Sequence, residues 1–276
     1  MKKNLKTNLI WLAIIAVVYA ILSALIVAGI INAFVAQIIT QIGINLIVAV
    51  GLNLVIGFTG QFSFGSAGFM AIGAYTSAIV TARMAPTWGT IFLSMLIGAI
   101  IAGIVAVIVG YPTLRLKGDY LAIATLGVSE IIRILIMNGG DLTNGAAGLS
   151  GIILFTDWGM TFIFAVVIII LILNFINSPS GRATLSVRED EIASESMGVN
   201  VTRVKVIAFT LGAMVTAIAG SLYAGFIGTV TPKDFTWMKS VDALIIVVLG
   251  GLGSITGTVI AAIILGLLNM FLQDFG

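Results

Sequence analysis

The chain has 276 residues, of which 60% are hydrophobic and 9% charged. Soluble domains average about half apolar and about a quarter charged residues, so this composition points to a membrane protein. The formal charge of +2 says little about partners, but the absence of any cysteine or histidine excludes disulfides, thiolate nucleophiles, imidazole proton relays and His-ligated metals.

An α-helix needs about 20 apolar residues to cross roughly 30 Å of hydrocarbon. Runs of that kind predict spans near 9–31, 34–57, 62–82, 89–110, 120–138, 159–177 and 204–229, followed by an interrupted segment at 241–272. Alternating apolar and polar strands are absent, which argues against an outer-membrane barrel. The expectation is an all-α, polytopic membrane bundle of about 8–9 segments, with residues 1–276 forming a single transmembrane domain.

At the N-terminus "MKKNLKTN" precedes a run from Leu9 to Phe34. That run is too long for a signal-peptide core and no A-x-A site follows, so it reads as a first membrane helix. The second span carries Gln37, Gln41 and Asn45 at successive i+4 steps, one polar stripe that either lines a pathway or cross-links helices. Asn53 is rotated about 160° from Gln37 and belongs to another face.

The stretch "GFTGQFSFGSAGFMAIGAY" (57–75) then interrupts the apolar pattern with glycine, serine, threonine and glutamine. "VVLGGLGSITGTVIAAIILG" (247–266) does the same with Gly250, Gly251, Gly253 and Gly257. Irregular backbone at membrane depth is tolerated only where protein or a water-filled cavity surrounds it. Paired breaks mark repeat units near the pathway in transporters, while close packing through small residues is the plainer reading. In the fifth span Glu130 and Arg133 stand at i, i+3, a spacing suited to a neutralising ion pair.

No catalytic set is present: the chain has no G-x-S-x-G elbow, no Walker A motif and no paired carboxylates on one membrane face. Any energy source for transport, if that is the role, must come from an ion gradient or from another subunit. The scarcity of carboxylates within the spans argues against proton coupling, and a gradient-driven secondary transporter or a channel stands as the alternative reading.

Lys and Arg orient the chain. A cytoplasmic N-terminus places Lys2, Lys3, Lys6, Arg115, Lys117, Arg182, Arg188, Arg203 and Lys205 inside, against Arg83, Lys233 and Lys239 outside. The loop 139–158 has no Lys or Arg, as an external loop should. The polar segment 178–203, "SPSGRATLSVREDEIASESMGVNVTR", is then cytoplasmic. Pro179 ends the preceding helix. Glu189, Asp190 and Glu191 suit the positive end of a short helix of about two turns, Ile192 and Met197 offer apolar contact, and Gly198 is a C-terminal cap. Mixed charge with a few apolar residues makes a protein-docking surface.

Four ordered stretches carry a family resemblance: "GQFSFGSAGFMAIGAY" (60–75), "PTLRLKGDYLAIATLGVSEIIR" (112–133), "GRATLSVREDEIASESMGVNVTRVKVIAF" (181–209) and "VVLGGLGSITGTVIAA" (247–262). From about residue 40 onward the chain resembles permease subunits of branched-chain amino acid ABC importers, of the LivM type. The resemblance implies a bundle of discontinuous helices in the cell membrane that needs no cofactor. It also implies a second, LivH-like permease, two cytoplasmic ATP-binding subunits and an external substrate-binding protein as partners, with membrane lipid around them and no nucleic acid. The loop at about 178–205 would then be the coupling element. Arg188, Glu189, Asp190, Glu191, Ile192, Met197 and Gly198 are expected to dock the ATPase, and Gln61, Ser63, Ser66, Thr125 and Ser129 to line the route. Two features depart from the family pattern. Ser66 stands where histidine is common, and the chain ends at "LQDFG" where the family usually continues into a further apolar helix and a basic tail.

Overall fold

The computed structural model describes residues 2–29, 31–84, 87–116 and 118–273, with side chains described only between 15 and 272. Lys117 and residues 274–276 lie outside the described residues, as do the side chains of Lys2, Lys3 and Lys6.

Eleven helices are described in chain order: α1 Lys2–Val27, α2 Ala33–Thr59, α3 Ser66–Arg83, α4 Trp88–Thr113, α5 Asp119–Met137, α6 Trp158–Asn177, α7 Pro179–Glu189, α8 Glu191–Ser196, α9 Val201–Ile227, α10 Trp237–Gly250 and α11 Ile255–Gln273. Local chemistry sets many of the starts. Asn32, Asp157, Ser178, Asp190 and Asn200 each accept a backbone N–H of the first turn that follows, satisfying a donor the helix leaves free. Thr87 and Thr90 close a reciprocal capping box at the start of α4.

Among the described residues α2, α4, α5, α6, α9 and α11 are long and apolar enough to cross a membrane. The expected count of about 8–9 segments also drew on α1, α3 and α10. α10 has 14 residues, only about 21 Å of rise, and α3 is diluted by Gly68, Gly73, Thr76, Ser77 and Thr81.

α2 is the axis of the bundle, buried almost all round from Ile44 to Thr59. α9 lies against it, and α3 and α4 close the other side of α9 through small residues. A methyl at Gly73 would collide with the Ala217 carbonyl, and one at Gly220 with the Met70 carbonyl. The backbones therefore approach as only glycine permits, the usual way for membrane helices to gain packing energy in lipid. α6 packs on α2. α1 touches the bundle through Tyr19, stacked on Trp158 with ring centroids 5.1 Å apart.

The loop between α5 and α6 is folded rather than open. It makes 3-10 turns at Gly140–Leu142 and Gly145–Ala147, then a strand, β1 Leu149–Ser150. That strand pairs antiparallel with β2, Thr229–Val230, just after α9. The pairing ties this loop to the turn that leads into α10.

Candidate functional site

The first glycine break is real and re-enters the bundle. Gly60 ends α2 with φ +70°, the left-handed conformation that terminates helices. Residues 60–65 are non-helical before α3 begins. This segment is held from two sides: Phe64 N–H donates to Thr125 Oγ1 of α5 at 3.0 Å, and Ser240 Oγ of α10 donates to the Phe64 carbonyl at 2.8 Å while accepting from Ala67 N–H at 2.9 Å.

The expected pathway residues are all buried here. Ser63 Oγ accepts from Gly65 N–H at 3.2 Å, and Thr125 Oγ1 also donates to the Ala122 carbonyl at 3.0 Å. The others are unpaired. Both amide atoms of Gln61 and the hydroxyls of Ser66 and Ser129 make up four of the six buried polar side-chain atoms without a partner among the described residues. Each such orphan costs about 1–3 kcal/mol, so their concentration calls for an account beyond packing. Ser63 and Ser66 share a cavity with Gly51, Phe69, Phe209 and Thr216 whose volume is about 10 Å³. That is room for about one water and far too little for an amino acid, so this centre is closed.

On α5, Leu121, Thr125, Ser129 and Ile132 face inward. Glu130 and Arg133 form a 2.8 Å ion pair on a flank that is about a quarter exposed. The polar stripe on α2 leads to a lysine: Lys239 Nζ donates to Asn45 Oδ1 at 3.5 Å and lies 5.7 Å from the Tyr223 ring centroid. Lys239 stands in the first turn of α10, which begins at Trp237.

The second break, Gly251 to Ser254, meets the end of α2. Asn53 is fully buried. Its Oδ1 accepts from Gly253 N–H at 2.9 Å, and its Nδ2 donates to the Ser254 carbonyl at 3.1 Å and to Thr258 Oγ1 at 2.7 Å. A methyl on Gly57 would strike Asn53 Oδ1 and the Gly253 backbone. Sequence reasoning set Asn53 apart from the polar stripe but gave it no role. Its signal is a lone amide in the apolar run "VGLNLVIGF".

The polar segment 178–203 holds two short helices, α7 and α8. Ser178 caps the end of α6 and also the start of α7, where Pro179 takes the first position. Pro179 both stops one helix and starts another, so the expected break is present and the added helix α7 is not in the sequence reading. Asp190 ends α7 and caps α8, its Oδ1 accepting from Ala193 N–H at 2.9 Å. Gly198 closes α8 with φ +86°.

The named residues of this segment divide between two faces. Arg188 reaches inward, its Nη1 donating to the Gly57 carbonyl at 2.7 Å. Glu191 pairs with Lys205 of α9 at 2.9 Å, the lysine side chain being only 9% exposed. Glu189 and Asp190 stand in solvent, and Ile192 and Met197 are 74% and 85% exposed. Beside them α7 and the start of α9 enclose a groove of about 470 Å³ lined by Pro179, Ala183, Asn200, Arg203 and Ile207.

These features define a class: a multi-pass α-helical membrane protein with interrupted helices meeting at a polar, closed centre. Residues 34–276 match the family described as branched-chain amino acid transport system permease component, and the chain belongs to that family. It is 37% identical over 254 residues to the high-affinity branched-chain amino acid transport system permease protein LivM of Escherichia coli, covering 79% of this chain and 59% of that protein. Identity to LivM of Salmonella typhimurium is 36% with the same coverage. The LivH permease of Salmonella typhimurium is 29% identical over 240 residues, 76% of this chain and 75% of that protein. The chain thus spans less than two thirds of the length of the LivM relatives. No solved structure matches.

Proposed function

We propose that the chain is the pathway subunit of an ATP-driven importer for branched-chain or similar small apolar amino acids, and that it hydrolyses nothing itself. It works in the cell membrane, with its N-terminus in the cytoplasm, beside a second LivH-like permease. Two cytoplasmic ATP-binding subunits and an external substrate-binding protein complete the machine. The substrate class follows the relatives' printed function.

The observation that carries this reading is the outward face of α8. Two large apolar side chains, Ile192 and Met197, stand exposed beside Glu189 and Asp190 on a helix pair fixed to the bundle. Apolar anchors ringed by polar groups are what a partner protein covers, and the adjoining groove gives that partner a recess. Gln61, Ser63, Ser66, Thr125 and Ser129 line the route, and the orphaned groups among them wait for water or substrate to pair them when it opens. The exposed apolar faces, such as Ile104 and Ile108 of α4 and Leu171 of α6, meet lipid or the second permease.

The test is co-purification with the candidate ATPases and binding protein, then ligand-stimulated ATP hydrolysis and leucine uptake in liposomes. ATP-dependent uptake that I192D/M197D abolishes, with the ATPases lost from the purified complex, supports the reading. Uptake driven by an ion gradient without ATP overturns it in favour of a secondary transporter.

A further inference from the structure

We infer that Arg188 is a positioning residue that makes both glycine breaks follow the cytoplasmic helix pair, not a residue that docks the ATPase. The inference rests on the importer reading above and assigns the step that lies between the docking face and the pathway.

The chemistry begins at the end of α2. The last four carbonyls of a helix have no partner within it. At this terminus the amides of Gly60 and Gln61 both turn back to the Val55 carbonyl, Gly60 also reaching that of Ile56. The Gly57 carbonyl is left for an outside donor, and the Arg188 guanidinium supplies it at 2.7 Å. The bond is charge-assisted, and a cation at a helix C-terminus is favoured by the peptide dipoles. It is the one side-chain hydrogen bond from α7 to α2 among the described residues.

The same guanidinium lies beside the second break. Gly253 has φ +81°, and a methyl there would lie 2.7 Å from Arg188 Nη1 and 3.0 Å from the Gly57 carbonyl. Gly253 is bonded in turn to Asn53, which holds Ser254 and Thr258. The first break begins against the arginine stem, since a methyl on Gly60 would be 3.5 Å from Arg188 Cγ. The end of α7, the end of α2, the α10–α11 turn and the root of segment 60–65 therefore meet at one side chain.

α8 joins α7 through Asp190 alone, which serves as the cap of both helices. A partner that shifts α8 together with α7 must then carry Arg188 with it or break the Gly57 bond, and it must also move or break the Glu191–Lys205 pair that ties α8 to α9. If the bond holds, both breaks move, and segment 60–65 moves with Gln61, Ser63 and Ser66 on or beside it. A lysine offers one point donor in place of a planar fork, so it should transmit part of the motion.

The experiment uses the full transporter in liposomes and reads leucine imported per ATP hydrolysed, with ATPase retention on purification as the second measurement. Losing a hydrogen bond to a charged group costs about 1.5–3 kcal/mol, on the order of tenfold or more in an equilibrium. R188A should keep the ATPases bound while import per ATP falls about tenfold, and R188K should fall between R188A and the unsubstituted protein. I192D should lose the ATPases instead. Import per ATP within about twofold of the unsubstituted transporter in R188A overturns the proposal. So does loss of the ATPases in R188A, which would return Arg188 to the docking face. Failure of both R188A and R188K to accumulate in the membrane would make the residue a structural clamp and also overturn it. An unsubstituted transporter without ATP-driven uptake sinks the importer reading first, and that result is visible before any variant is compared.

Discussion

In the α3–α4–α9 core the serines that bridge helices find partners. Ser77 and Ser94 bond each other at 3.1 Å, Ser94 also donates to the Ile91 carbonyl, and Ser221 donates to the Gly73 carbonyl at 3.0 Å. Along segment 60–66 and α5, residues of the same types are equally buried, yet Gln61, Ser66 and Ser129 have none. Burial and composition do not separate these residues; hydrogen-bond satisfaction does, with Thr210 of α9 the unpaired exception on the core side and Ser63 and Thr125 the paired ones on the other. A serine that bonds across a glycine contact fixes two helices in place. A buried serine or amide left unpaired stores an unfavourable energy that a change of conformation, water or substrate can relieve.

The largest effect should come from forcing the tight region apart. Gly220→Val places a branched side chain against the Met70 backbone, where even a methyl collides. Overpacking costs typically 1–3 kcal/mol when side chains can yield; here a backbone must move, so the expected outcome is at least about 3 kcal/mol and loss of the folded permease from membranes. Accumulation near the unsubstituted level, measured by fluorescence-detected chromatography, would show that the α3–α9 contact is not close in the protein.

Next in size is Asn53→Ala. The amide makes three bonds to the 253–258 turn; its loss strands the Gly253 N–H, while the Ser254 carbonyl keeps its bonds from Thr258 N–H and Oγ1. The expected cost is about 2–4 kcal/mol, seen as a fall in thermal unfolding temperature, with the turn at Gly251 and Gly253 more open to proteolysis. An unchanged unfolding temperature would mean that the two breaks are not joined through this side chain.

How much of this was readable beforehand depends on the range of the interaction. Both breaks were legible, because glycine clusters inside apolar runs are a local signal. Their junction was not, since Asn53 and Gly253 are 200 residues apart and neither residue advertises the other. The second helix of segment 178–203 was lost for a different reason. Ser178-Pro179 reads as a stop, and the same pair begins a helix when the chain turns rather than ends. The charged segment was legible as a feature, but not its sides: the sequence does not tell that Arg188 and Glu191 turn toward Gly57 and Lys205 while Ile192 and Met197 turn to solvent.

The smallest effect is the sharpest comparison between the two regions, because it predicts opposite signs for one substitution. Serine to alanine in a helix interior gains a few tenths of a kcal/mol in helix propensity at either site, so that contribution cancels between Ser129 and Ser221, both fully buried. Ser221→Ala also removes the bond to the Gly73 carbonyl and should cost about 1 kcal/mol net. Ser129→Ala removes a hydroxyl with no partner and should raise stability by about 1 kcal/mol, while altering the rate of uptake. Thermal unfolding of the two variants in one detergent gives the difference directly, about 2 kcal/mol in favour of Ser129→Ala. Equal losses at the two sites would mean that the Ser129 hydroxyl is paired after all, and the distinction between the bonded core serines and the unpaired groups of segment 60–66 and α5 would fall with it.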